Sequence, residues 1–187
     1  MKLNDILTVR IGKNLSRNKG KEEGNLIPYS YEDLIQDLNQ QNDSYSQESN
    51  KIDEGQSNED NYLINAGDVV FSFVSSTAGI VSKTTAGKVL NQNFAKLIVE
   101  ESKVDGKYLC YCLNESTLFK RQMAVSKQGS ILPKLTPSIL KELDIPLPDL
   151  TKQQLIGKAY FSLLRKQFLQ KEKSELEKKF ILALLEQ

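Results

Sequence analysis

A proline-bracketed joint followed by a long run of helix-forming residues constrains this chain more than any other stretch. Pro146 and Pro148 enclose Leu147, and proline lacks a backbone N–H and disfavours helix in the residue before it. Thr151 and Gln154 then have the spacing of a capping box, in which a hydroxyl and an amide satisfy free N–H groups at a helix start. The spacing predicts one compact body, 1–150, joined rigidly to one long helix, 151–187.

The predicted helix carries an apolar stripe. Apolar or small residues recur every seven positions from Leu155 to Ala183, on a helix roughly 50 Å long. A stripe of this length favours a partner helix, although folding back onto the body is the open alternative. The residues expected to contact the partner are Leu155, Ala159, Leu169, Leu176, Phe180 and Ala183.

The body combines strand and helix patterns, which predicts an α+β fold with a mixed sheet. Val69–Val74 is typical of a strand buried on both faces. After a turn over 75–79, Ile80–Lys83 is predicted as its hairpin partner, and a further strand follows over 94–100.

Helices are indicated by the spacing of apolar residues. The pattern predicts helices over 31–39 and 107–123, and Asp105 is a suitable N-cap for the second. Thr136 is predicted to cap a short helix before the joint.

Charge is distributed unevenly along the chain. The segment 39–61 holds six acidic residues and one lysine, a net charge of −5, so the remainder carries +6 of the total of +1. This segment has few apolar residues, and we expect a mobile acidic loop there. A mildly basic body is compatible with a polyanionic partner but does not require one.

Catalytic chemistry is not indicated. The chain has no histidine, and we find no phosphate-binding loop, dinucleotide fingerprint, nucleophile elbow or metal-ligand spacing. Cys110 and Cys112 are two positions apart, which places them on different helix faces, so two buried reduced thiols are expected. The absence of these catalytic motifs favours a chain that is not itself an enzyme. The N-terminus has no apolar signal core, which favours a cytoplasmic location.

The joint, LKELDIPLPDLTKQQLIG, resembles the boundary found in specificity subunits of Type I restriction-modification systems. There, a target recognition domain ends in a pattern of the form l.ipiPpleeQ..I and a long helix follows. Further resemblances occur upstream in the same order as in that family, at INAGDVVFS, SSTAGIVS, LNQNFAKLIV, VDGKYLCYCLNE and QGSILPKLTPSIL. The resemblance runs from about Leu63 to Gly157, whereas 39–61 looks like an insertion.

The resemblance implies a division of labour. The globular domain would read double-stranded DNA, and the helix would pack against a second such helix and dock a methyltransferase subunit, with a restriction subunit as a further partner. S-adenosylmethionine would bind to the methyltransferase, so no cofactor is expected here. A half-length chain would form a homodimer through antiparallel helices and read a split, symmetric site. The alternative is an adaptor or inhibitor that competes through its helix without reading DNA.

Four loops are the best supplied with side chains that contact bases and phosphates. We expect at least two of them to face DNA. Their candidate DNA-binding residues are Lys13, Arg17, Lys19 and Lys21; Ser75, Ser76, Thr77 and Lys83; Asn91, Gln92 and Asn93; and Lys127, Gln128, Ser130 and Lys134.

Overall fold

A computed structural model describes residues 1–14, 27–40, 62–126 and 135–186. They form a body of helices around one sheet, followed by a long helix, which confirms the α+β class. After a 3-10 helix at Leu3–Asp5, the elements are β1 (Leu7–Ile11), α1 (Tyr31–Gln40), β2 (Val69–Ser72), β3 (Thr77–Ile80), β4 (Phe94–Val99), α2 (Gly106–Glu115), α3 (Thr117–Ser126), α4 (Pro137–Glu142) and α5 (Leu150–Leu185). Apart from its first two residues, the acidic segment 39–61 lies outside the described residues.

The sheet has the strand order β1-β4-β2-β3, and its three ladders are antiparallel. Helices α1 and α2 pack on opposite faces of the sheet. Leu34 of α1 lies against Gly79, which pairs with Val70, whereas Gly106 at the start of α2 lies against the side chain of Val69. Since neighbouring side chains on a strand point to opposite faces, both faces of β2 are covered and all four of its residues are buried.

The β2–β3 turn begins two residues earlier and ends three residues earlier than predicted. Strand β2 ends at Ser72, which pairs with Thr77, so the turn occupies 73–76. Gly79 suggested a turn, but it lies within β3 and allows α1 to approach. A Cβ atom at this position would lie 2.5 Å from Cδ1 of Leu34. The glycine is therefore explained by helix packing rather than by backbone reversal.

The helix predicted over 107–123 is two helices, α2 and α3, which meet at Ser116. This residue has an extended ψ of 123°, its N–H donates to the Cys112 carbonyl, and its Oγ accepts weakly from the N–H of Phe119 at 3.5 Å. Ser116 thus ends one helix and begins the next. The predicted caps are confirmed, since Asp105 accepts from the N–H of Tyr108 and Thr136 accepts from that of Ile139.

The joint is held by long-range hydrogen bonds rather than by the predicted capping box. The N-cap of α5 is Asp149, whose carboxylate accepts from the N–H of Lys152 at 2.9 Å. Gln153 is 1% exposed, and its amide accepts from the N–H of Asp105 and donates to the carbonyls of Lys103 and Pro148. The beginnings of α2 and α5 are therefore tied together.

Helix α5, about 54 Å long, has two distinct faces in its first third. Gly157, Tyr160 and Phe161 are buried against the body, and α5 contacts both α1 and α2. Leu155 and Leu163 are exposed on the other side. From residue 169 to residue 186 every side chain is exposed. The first third thus folds back onto the body, while the predicted partner stripe is left uncovered.

Both cysteines are free and buried, as expected. Burial raises the pKa of the Cys110 thiol and raises that of Cys112 to about 11. Because the thiolate is the reactive species, neither should react in the native protein at pH 8.

We therefore expect a disulfide reagent to label no thiol of the native chain at pH 8 and two after unfolding. For Cys112, labelling should begin only as the pH approaches 11. A Val74→Cys variant is the positive control, because Val74 is 77% exposed and its replacement should react at once. Rapid labelling of the unaltered native chain at pH 8 would contradict the buried placement.

Candidate nucleic-acid interface

Three of the predicted segments lie together at one end of the sheet. The end of β1 pairs with the start of β4 through Ile11 and Ala95, and the end of β2 pairs with the starts of both β3 and β4. The backbone N–H of Lys13 donates to the Leu90 carbonyl at 2.7 Å, and that of Phe73 donates to the Asn93 carbonyl at 2.9 Å. Segment 12–13, turn 73–76 and turn 91–93 therefore form one surface, called the sheet-end surface below.

The 73–76 turn has a constrained backbone. Ser76 has a φ of 55°, a left-handed conformation that non-glycine residues adopt rarely. The Oγ of Ser72 accepts from the N–H of Ser75, and the hydroxyl of Thr77 donates to the Ser75 carbonyl. The Oγ of Ser75 is buried without a hydrogen-bond partner among the described residues. Of the three predicted contacts here, Thr77 thus already uses its hydroxyl hydrogen within the protein.

The 91–93 turn divides its side chains between structure and surface. Asn91 stabilises the turn, since its Oδ1 accepts from the N–H of Asn93 and its Nδ2 donates to the Tyr29 carbonyl. Gln92 and Asn93 are exposed, and the described residues provide no hydrogen-bond partner for either side-chain amide. The donors and acceptors of these two amides are thus not used by any described residue, and amide side chains are well suited to contact base edges.

The remaining predicted contacts lie elsewhere. Lys83 is exposed in the turn that follows β3, at the opposite end of the sheet, about 13 Å of strand away. Arg17, Lys19 and Lys21 lie outside the described residues, as do Lys127, Gln128, Ser130 and Lys134. The structure thus brings together Lys13, Ser75, Ser76, Thr77, Asn91, Gln92 and Asn93, but not Lys83.

Sequence reasoning missed two residues near this surface. Val74 was placed within a buried strand, but it lies in the turn and is 77% exposed. Asn114 of α2 was not among the candidate residues, yet its amide binds the backbone of Ala78 just beyond the turn. The exposure of Val74 could be predicted only if the turn were placed earlier in the sequence. No local sequence pattern indicates the role of Asn114.

Other kinds of site are not found in the part of the chain that the structure describes. These ranges contain no group of three or more cysteine and acidic side chains able to hold a metal ion. They also contain no helix with the length and apolar character needed to cross a membrane.

The fold has relatives among solved structures. The HsdS subunit from Thermoanaerobacter tengcongensis matches with a TM-score of 0.54 and 18% identity over 93% of this chain and 39% of that chain. A chain from a structure on complex assembly and conformational transition of the type I R-M system matches with a TM-score of 0.61 and 18% identity, over 99% of this chain and 42% of that chain.

The S subunit of the Type I restriction-modification system from M. genitalium has a TM-score of 0.51 and 13% identity, over 85% of this chain and 37% of that chain. The present chain therefore spans about two fifths of the length of these relatives. No curated protein matches the sequence significantly.

A family model gives the decisive comparison. The model described as the Type I restriction modification DNA specificity domain matches residues 1–178, which include the sheet, the joint and most of α5. The chain thus belongs to the family of Type I restriction-modification DNA specificity domains.

Proposed function

We propose that this chain is the DNA-recognition subunit of a Type I restriction-modification system and directs a partner adenine methyltransferase to a split target site. The observation that carries the proposal is the family match over residues 1–178, because it includes both the body and the long helix. In this role 1–150 is the target recognition domain and 151–187 is the helix for dimerisation and methyltransferase docking. Such a role requires access to cellular DNA, which agrees with the cytoplasmic location expected from the sequence.

The sheet-end surface is the part of the body that we assign to DNA. The amides of Gln92 and Asn93, which have no hydrogen-bond partner among the described residues, lie there beside the constrained 73–76 turn and the basic Lys13. Side-chain amides can form paired hydrogen bonds with adenine in the major groove, while basic groups neutralise phosphates. Support for this assignment comes from the convergence of these residues at one end of the sheet.

The uncovered stripe of α5 is the part that we assign to a second copy of the chain. At 3.6 residues per turn, the six predicted partner residues lie within about 80° of Leu155 around the helix, whereas Gly157, Tyr160 and Phe161 lie about 120–160° away. The stripe therefore faces away from the body along the whole helix. All six predicted partner residues, Leu155, Ala159, Leu169, Leu176, Phe180 and Ala183, are exposed.

The distribution of apolar residues along the stripe is compatible with the antiparallel pair that the resemblance to specificity subunits implies. Leu155, Ala159 and Leu163 lie near one end, Leu176, Phe180 and Leu184 lie near the other, and 170–175 between them is polar. In an antiparallel pair, the apolar group near the start of one helix lies opposite the apolar group near the end of the other helix, and this happens at both ends of the pair. Two bodies then lie far apart and read the two halves of a symmetric site.

Methyl transfer itself is assigned to the partner. The S-adenosylmethionine cofactor and the adenine chemistry belong to the methyltransferase, and this chain provides recognition and docking without catalysis. A restriction subunit is a further partner of the same complex.

A methylation map of cellular DNA tests the proposal. Cells that express this chain with its cognate methyltransferase should show a new split, symmetric adenine motif that is absent when the methyltransferase is expressed alone. Replacing Gln92 and Asn93 with alanine should abolish or relax one element of the motif, because exposed amides that read base edges are removed. Lys83→Ala is the control and should leave the motif unchanged, because Lys83 lies at the other end of the sheet.

The outcomes separate recognition from simple binding. A stable complex with the methyltransferase that produces no new motif would overturn the proposal and favour an adaptor or inhibitor. If the motif changes with Lys83→Ala but not with replacement of Gln92 and Asn93 by alanine, the proposed function stands and the assignment of DNA to the sheet-end surface is overturned.

A further inference from the structure

Asn114 of α2 forms hydrogen bonds to two other elements, strand β3 and helix α5. Its Oδ1 accepts from the N–H of Ala78 at 2.8 Å, and its Nδ2 donates to the Ala78 carbonyl at 2.9 Å. The same Nδ2 donates to the hydroxyl of Tyr160 at 3.1 Å. One half-buried amide of α2 therefore binds strand β3 and helix α5 together.

The bonds to Ala78 complete a sheet edge. Strand β3 is the last in the order β1-β4-β2-β3, so one side of its backbone has no neighbouring strand. An unpaired strand edge exposes N–H and carbonyl groups that require partners. The amide of Asn114 binds both groups of Ala78 as a neighbouring strand would, two residues after the left-handed Ser76.

The bond to Tyr160 reaches the long helix. Tyr160 is buried, and its ring packs against Tyr111 of α2 and Phe161 of α5, with ring centroids 5.8 Å and 5.4 Å away. The ring is therefore immobilised by its neighbours, and its hydroxyl is presented to Asn114. A displacement of α5 relative to the 73–76 turn would break at least one bond of this amide.

We infer that Asn114 is a positioning residue that sets the 73–76 turn at a fixed place relative to α5. This inference rests on the proposed function in one respect. If the turn reads bases and the helix sets the spacing of two bodies, then the hydrogen bonds of Asn114, called the link below, fix the position at which each turn meets its half-site. Loss of the link should therefore reduce discrimination between target and other DNA, while contacts to phosphates are kept.

Two variants separate the parts of the link. Asn114→Ala removes all three hydrogen bonds, and Tyr160→Phe removes only the bond to the helix while the packed ring remains. Gln122→Ala is a matched control. Gln122 of α3 also binds one backbone residue through both amide atoms, since it accepts from the N–H of Asp144 and donates to its carbonyl, both at 2.8 Å. It touches neither the turn nor α5 in these bonds.

The first measurement is a distance that does not depend on DNA. Spin labels are attached to cysteines introduced at the exposed positions Val74 and Lys166, since the two native thiols are buried. With the labelled chain diluted in an excess of unlabelled chain, so that a dimer holds only one labelled copy, pulsed electron paramagnetic resonance should give a narrow distance distribution for the unaltered protein and for Gln122→Ala. Broadening is expected with Tyr160→Phe and should be larger with Asn114→Ala. An unchanged distribution in both link variants, or equal broadening in Gln122→Ala, would overturn the inference.

The second measurement is the dissociation constant for a scrambled duplex divided by that for the target duplex, with the salt dependence of each. Asn114→Ala should lower this ratio by about tenfold, the size of one misplaced base contact, and leave the salt slope unchanged. Retention of the ratio within twofold would overturn the role in recognition. A wild-type chain without any preference for a target would instead overturn the proposed function, while the distance measurement still decides the positioning.

Discussion

Replacing Leu176 and Phe180 with glutamine is expected to convert a dimer of this chain into monomers. The two side chains are 65% and 66% exposed, so their replacement should leave the folded body intact. Burial of a leucine or phenylalanine contributes about 1.5–3 kcal/mol, and each side chain occurs twice in a homodimer. The dissociation constant should therefore rise by at least about 1,000-fold. Sedimentation over a range of concentrations measures this change.

A matched variant distinguishes loss of the stripe from a general effect on the helix. Glu175→Gln with Lys178→Gln also places two glutamines on the same part of α5, and both residues are exposed. They lie about 140–200° from Leu155 around the helix, so this variant should remain dimeric. The antiparallel homodimer would be refuted by a stripe variant that associates as strongly as the unaltered chain.

The second large effect is expected at Asp37, which is completely buried at the contact between α1 and the turn after β3. Its carboxylate accepts from the hydroxyl of Tyr29 at 2.7 Å, the N–H of Ser82 at 3.0 Å and the hydroxyl of Thr85 at 2.7 Å. Burial, and then the charge of Asp37, raise the pKa of Tyr29 far above its usual value, so its hydroxyl stays a donor.

Asp37→Ala should lower the free energy of unfolding by about 3–5 kcal/mol, because three buried donors lose their acceptor. This is a large fraction of the stability of a typical domain. Tyr29→Phe should cost less, about 1.5–3 kcal/mol, since it removes a single donor to the charged carboxylate. Urea unfolding measures both values.

Asp5→Ala is the control, because Asp5 is exposed and a surface change should stay within about 0.5 kcal/mol. A loss below about 1 kcal/mol in Asp37→Ala would show that this network does not anchor α1.

The sheet-end surface was predictable only in part. Polar turn residues indicated the loops, and their composition identified Gln92 and Asn93 as candidates. The sequence could not reveal that the Asn91 amide donates to the Tyr29 carbonyl, that Lys83 lies at the far end of the sheet, or that Val74 is exposed. Each of these facts depends on strand register, and a register shift moves side chains to another face or another end.

Helix α1, the caps at Asp105 and Thr136, and the stripe of the long helix were determined by the sequence alone. Their signals are local, because capping bonds and helical periodicity join residues a few positions apart. The β2–β3 turn, the break at Ser116 and the joint at Gln153 were decided by tertiary structure. At the joint the deciding partners are Lys103 and Asp105, about fifty positions away along the chain. Such a partner is set by how the sheet and helices pack, so no pattern near Gln153 could have predicted it.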